Sequence, residues 1–178
     1  MTDTLSPAVF VDRDGTIIED RDYCSEPNDV KVFPGVPEAL RRLKSNGFKI
    51  IIITNQSGIS RGLLTLEQYR TVETEMLGQL GASLIDATYF CPDLPGQHSI
   101  CRKPAPGMII EATREHQIDL SRSFLVGDKE IDIECAHNAG VRSIRVKTGP
   151  QRDATDSKAD WIAQDLPAAT EIILNTTS

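Results

Sequence analysis

AVFVDRDGT, residues 8–16, decides how the rest of the chain is read. Residues 8–11 are a short apolar, β-branched run, which predicts a buried strand. The run ends in Asp12, Asp14 and Gly15, so the strand passes into a polar loop. Two carboxylates therefore stand at its carboxyl end.

Working outward, apolar residues recur at Val36, Ala39, Leu40 and Leu43, the i, i+3, i+4, i+7 pattern of a helix, and Asn46-Gly47 supplies a stop. Residues 48–53, FKIIII, are apolar enough for a central parallel strand covered on both faces, and they run into the polar turn TNQSG. Thr65 and Gln68 have the spacing of a capping box for a helix to about Leu80. Residues 84–90 follow as a third strand. Pro106 suits the first turn of a helix reaching about His116, residues 124–127 (FLVG) form another buried strand, and residues 130–138 are helical before Gly140. Residues 141–146 add a fifth strand, and residues 166–174, after Trp161-Ile162, close the chain with a helix. Strand and helix alternate throughout, which predicts a three-layer α/β domain around a mainly parallel sheet. Residues 148–157 are the one polar stretch and are expected to be a surface loop.

The chain has 178 residues, a length that suits one domain spanning 1–178. At 39% hydrophobic and 25% charged residues, the composition is that of a globular protein with an ordinary core. Acidic residues outnumber basic ones by 26 to 19, giving a net charge of -7, and no Lys/Arg run is long enough to follow a nucleic-acid backbone. Nucleic acid and membrane are therefore not expected partners, and a monomer is. An anionic substrate must be drawn in by local cations or a metal, not by the overall field. No apolar run approaches membrane-spanning length, and the start MTDTLSPAVF lacks a leader's basic and apolar regions, so a cytoplasmic location is expected. In that compartment the four cysteines, Cys24, Cys91, Cys101 and Cys135, should be thiols or metal ligands rather than disulfides.

In open α/β sheets, groups that follow separate strands converge beyond the carboxyl ends. Four such groups are present: Asp12/Asp14, Thr54-Asn55, Arg102-Lys103 and Asp128-Lys129. Each alone has a plainer reading, as a turn, loop chemistry, a solvated charge or the acidic start of a helix. Together, three carboxylates from two strand ends make a hard-oxygen site suited to Mg2+ with phosphate. Lys103, the Thr54 hydroxyl and Asn55 backbone donors are placed to hold the remaining phosphoryl oxygens.

The four ordered motifs DRDGT (12–16), ITNQ (53–56), CRKP (101–104) and VGDKEID (126–132) resemble those of haloacid dehalogenase-type phosphatases, over nearly the whole chain. The resemblance implies a Rossmann-like fold and a catalytic set of Asp12, Asp14, Thr54 and Lys103. In it Asp12 is the nucleophile that forms an aspartyl-phosphate and Asp14 is the acid/base. It further implies Mg2+ held by Asp12, the Asp14 carbonyl and Asp128, with Lys103 and Thr54 stabilising the transferring group. Asp132, one helical turn beyond Asp128, is expected to orient that ligand or a metal-bound water.

Many such enzymes carry a cap domain, but neither interval between the motifs has room for one. Substrate choice then falls to short loops, with Asp20, Tyr23, Asn55, Gln56, Ser57, Arg61, Arg102 and Lys129 as binding candidates. Within the family, TNQSGISRGLLT (54–65) and RKPAPGM (102–108) resemble the heptose 1,7-bisphosphate phosphatases, with Arg61 or Arg102 available to fork onto a second phosphate. Histidinol-phosphate phosphatases share DRDGT and TNQ and are the same-class alternative, as is a broad sugar-phosphate phosphatase. A nucleic-acid 3'-phosphatase and a non-catalytic phosphate sensor are the remaining readings. Relatives in the first two groups carry a zinc loop, CxHx5CxC, before RKP. Here it reads CPDLPGQHSIC (91–101), with Asp93 and Ser99 at two ligand positions. A reduced Zn2+ set of Cys91, His98 and Cys101 with Asp93 is one outcome, and a zinc-free loop packed by Pro92, Leu94 and Pro95 is the expected one.

Overall fold

The computed structural model describes residues 5–81 and 83–177. The first four residues, part of the stretch read for a leader, lie outside them.

Six parallel strands form one sheet in the order β3-β2-β1-β4-β5-β6. They are β1 (Ala8–Val11), β2 (Lys49–Asn55), β3 (Ala87–Cys91), β4 (Phe124–Gly127), β5 (Arg142–Val146) and β6 (Trp161–Ala163). The helices are α1 (Val36–Ser45), α2 (Leu66–Leu80), α3 (Gly107–His116), α4 (Glu130–Ala139) and α5 (Leu166–Thr177). The capping box at Thr65 and Gln68 forms as the sequence predicts. The sixth strand was not foreseen. It is three residues long and only partly buried, too short to show a period.

The central strands are buried on both faces, and their side chains alternate between two cores. Val9, Val11, Ile50, Ile52, Phe124 and Val126 pack with α1, α2 and α5, whereas Ala8, Phe10, Ile51, Ile53 and Leu125 pack with α3 and α4. The strand order reverses between β1 and β4, because the chain first adds β2 and β3 on one side of β1 and then crosses to the other. That reversal opens a crevice at the carboxyl ends of β1 and β4. The residues between β1 and β2 hold a short flap and α1, and those after β2 hold a loop and α2, with no inserted cap among the described residues. None of the described helices is long and apolar enough to cross a membrane.

Candidate active site

Asp12 is fixed by the backbone first. Its N–H donates to the Val126 carbonyl at 2.9 Å, extending the β1–β4 pairing by one residue. Asp128, two residues beyond Val126, is thereby brought opposite it. The chain then turns sharply, with the Arg13 carbonyl accepting from the amides of Ile17 (2.9 Å) and Ile18 (3.1 Å). This turn carries Asp14 away from the strand.

Asp12, Asp128 and Asp132 are all buried, and each brings a carboxylate oxygen within 4.8 Å of the others'. Lys103 is 2% exposed, and its Nζ lies 2.7 Å from Asp12 Oδ1, 2.7 Å from Asp132 Oδ1 and 3.1 Å from the Ile53 carbonyl. Burial opposes a charge on this lysine, but the charges of Asp12 and Asp132 outweigh it and hold the ammonium firmly protonated. Lys103 touches two of the three acids and Lys129 acts on Asp128 from further off, so the clustered acids still outnumber their cations. Burial, and after it the neighbouring Asp12 charge, pushes Asp128 up to about 8. Burial likewise raises Asp12 to about 6 against the pull of Lys103.

Both Asp128 side-chain oxygens are buried and receive no hydrogen bond from the described residues. A buried carboxylate without donors is costly unless a cation completes it. The fit is tight from behind: a Cβ on Gly149 would come within 1.7 Å of Asp128 Oδ2, and one on Gly15 within 2.6 Å. The donor set suits a hard dication with carboxylate and carbonyl oxygens.

The other expected residues divide by what they touch. A cavity of about 280 Å3 is lined by Asp12, Asp14, Asp20, Tyr23, Thr54, Asn55, Gln56, Ser57, Arg102, Lys103, Asp132 and Lys129, among others. Asp128 and Arg61 are not among its lining residues. Asn55 turns its side chain to the Lys103 backbone, accepting from its N–H at 3.0 Å and donating to its carbonyl at 3.2 Å, so it positions the lysine. Gln56 donates to Asp14 Oδ2 and to Thr54 Oγ1, both at 2.8 Å. Its side chain therefore serves the site's own residues. Lys129 bridges to Asp20 on the flap at 2.8 Å and closes the cavity's far side. Tyr23 presses its ring onto Gly58, where a Cβ would sit 2.4 Å from Tyr23 Cδ1. Arg102 stands near Arg61. Burial, and then the Arg61 charge, lowers its affinity for its proton. Such a pair of cations at a rim calls for an anion.

Three features add to or correct the expectations. Asp132 makes no hydrogen bond to Asp128 among the described residues: its Oδ1 pairs with Lys103 and its Oδ2 accepts from the Lys129 amide, capping α4. Cys91 and Cys101 are joined as a disulfide across a Cα separation of 5.7 Å, while Cys24 and Cys135 are free and buried. In this bonded state the loop offers zinc no thiolate. His98 is exposed and lies outside the Cys91–Asp93–Cys101 group. Ser99 does the local binding instead, donating to Asp93 at 2.6 Å and accepting from the Arg102 amide at 2.9 Å. Last, the start of the 148–157 loop is structural, since Thr148 Oγ1 donates to the Gly15 carbonyl at 2.5 Å and Gly149 seals Asp128. Buried Arg145, which no motif marked, donates to the Asp128 and Gln151 carbonyls and ties that loop down.

Comparison with known proteins bears on this arrangement. A haloacid dehalogenase-like hydrolase family model matches residues 9–76, and a HAD-hydrolase-like model matches residues 100–169. The chain is 43% identical over 144 residues to the D-glycero-beta-D-manno-heptose-1,7-bisphosphate 7-phosphatase of Helicobacter pylori, covering 79% of this chain and 82% of that one. This chain belongs to the haloacid dehalogenase-like hydrolases. A second relative in the family, the enzyme of the same description from Escherichia coli K12, is 39% identical and covers 92% and 93% of the two chains. Among solved structures, a D,D-heptose 1,7-bisphosphate phosphatase from B. bronchiseptica, complexed with magnesium and phosphate, superposes with a TM-score of 0.86 at 30% identity, covering 96% of this chain and 99% of that one. The haloacid dehalogenase fold thus extends over nearly all of this chain.

Proposed function

We propose that this protein is a Mg2+-dependent phosphatase that removes the 7-phosphate of D-glycero-D-manno-heptose 1,7-bisphosphate, working as one capless domain. The observation that carries the reading is the floor of the crevice. Asp12 is held by Lys103 beside an Asp128 whose buried oxygens have no donor. The relatives named for this reaction support the choice of sugar.

In this reading Asp12 and Asp128, with the Asp14 carbonyl, would hold Mg2+, which would offset the negative charge that Asp12 and the phosphate set against each other. Asp12 attacks phosphorus in line, so an Oδ–P bond forms as the ester P–O bond breaks. The Asp14 carboxyl gives its proton to the leaving sugar oxygen and later takes one from the water that hydrolyses the aspartyl-phosphate. Lys103 and the Thr54 hydroxyl steady the phosphoryl oxygens. Arg61 and Arg102 at the rim receive the phosphate that is not cleaved.

The test is phosphate release with Mg2+ from the heptose bisphosphate, histidinol phosphate and fructose 1,6-bisphosphate. A higher kcat/KM for the heptose bisphosphate is expected. A preference for histidinol phosphate would remove the sugar assignment, and failure to release phosphate from any ester would remove the catalytic one.

A further inference from the structure

Arg13 sits between the two aspartates and has no part in the reading so far, yet it is 2% exposed. A buried guanidinium is retained only where it is paired. Its Nε donates to Asp14 Oδ2 and its Nη2 to Asp14 Oδ1, both at 3.0 Å, a two-pronged grip on the adjacent carboxylate. Its plane is backed by the Tyr69 ring of α2, 5.4 Å from the guanidinium carbon, and Tyr69 is itself 1% exposed. From the other side Gln56 Nε2 donates to Asp14 Oδ2 while also anchored on Thr54. Oδ2 thus has two donors on it, and Oδ1 keeps the free lone pair.

We infer that Arg13, backed by Tyr69 and assisted by Gln56, is the positioning residue for the Asp14 carboxyl, fixing which oxygen carries the proton to the leaving group. The inference rests on the proposed acid/base role of Asp14. In the step concerned, the proton leaves Asp14 Oδ1 for the sugar oxygen as the P–O bond to that oxygen breaks and the bond from Asp12 to phosphorus forms. A residue that works only through this proton matters in proportion to how badly the leaving group needs it. A sugar alkoxide needs it fully. A p-nitrophenolate, stable as an anion at neutral pH, leaves without it.

The experiment compares the full-length wild type with Arg13→Met and Asp14→Asn, all with Mg2+. The readouts are kcat/KM for the heptose bisphosphate and the rate of the p-nitrophenol burst from p-nitrophenyl phosphate, which reports Asp12 phosphorylation alone. Arg13→Met is expected to lose about 100-fold on the sugar ester, within the range for a positioned acid/base, and at least about tenfold less on the burst. Gln56→Met is expected to show the same split with a smaller loss, and it stands in for Arg13→Met should that variant not fold. Arg13→Lys, which restores the charge without the fork, is expected to recover only part of the sugar-ester rate. Equal losses on the two substrates, or full rescue by Lys, would overturn the inference. If Asp14→Asn shows the split and Arg13→Met does not, the positioning role alone falls. If Asp14→Asn shows no split, the acid/base reading falls and takes the inference with it.

Discussion

The floor and the rim of the crevice are built on opposite principles. On the floor, Asp12, Lys103, Asp128 and Asp132 are all nearly or fully buried, each fixed by a strand end or a helix start. At the rim, Arg61 and Tyr23 are exposed, and Arg102 is only partly covered on a loop organised by Ser99 and Asp93. Buried charges cannot be rearranged cheaply, whereas exposed arginines on loops can be exchanged at little cost, so in the proposed function the floor would carry the reaction and the rim the choice of ester.

That contrast can be broken most severely at Asp12. In the proposed mechanism Asp12→Asn replaces the attacking carboxylate with an amide and should lower kcat by at least about 10^4-fold in steady-state phosphate release. A milder loss would mean that another group attacks phosphorus. Next in size is Lys103→Met, which leaves Asp12 and Asp132 buried without their cation. It is expected to lower stability by about 3 kcal/mol in urea unfolding without metal, whereas an unchanged midpoint would show that the floor tolerates rearrangement.

A third test sets pH against metal. Burial, and then the charge of Asp12, holds Asp128 up at about 8, above its ordinary 3.8. The folded metal-free protein therefore keeps protons that the unfolded chain has released, and its stability falls as pH rises through that window. If Asp12 and Asp128 hold Mg2+ as proposed, the ion would take the place of those protons. The gain in Tm on replacing EDTA with Mg2+ should thus be larger near pH 8 than near pH 5. Equal gains at the two pH values would place the metal elsewhere.

The rim should respond differently. Arg102→Ala is expected to raise KM for the bisphosphate about 10- to 100-fold, the loss of one charged hydrogen-bonding partner, with little change in kcat on a monophosphate. A fall in kcat on both esters would place Arg102 in the chemistry instead. The smallest effect is expected at Ser99→Ala, about 1 kcal/mol in stability and a few-fold in KM, since it removes the hydroxyl that holds the Arg102 amide. No change in KM would show that the loop is held without it.

The same division explains what could be read from the sequence. Most strands, the helices and the four polar strand ends were legible because each leaves a local mark: an apolar run, a 3.6-residue period, a capping box, a Gly or Asn stop. Contacts made across the fold leave no such mark. Nothing local distinguishes an Asp132 that pairs with Lys103 from one that orients Asp128. Asn55 and Gln56, expected as binding residues and Asn55 through its backbone, stand at a strand end and line the cavity, but nothing local marks that their side chains also engage Lys103, Asp14 and Thr54. Cys91 and Cys101 read as thiols or metal ligands because their approach depends on how the loop after β3 returns. Gly149 lay in a stretch whose polarity suggested only exposure.

Gly149 also has a consequence for how its loop can vary. With Gly15 and Gly149 packed against Asp128 and Arg145 holding the loop down, a side chain at either glycine would displace the carboxylate, so a loop of otherwise mostly exposed residues has a backbone position that it cannot exchange, as does the turn after β1. The loop's length is free to drift only beyond Gly149.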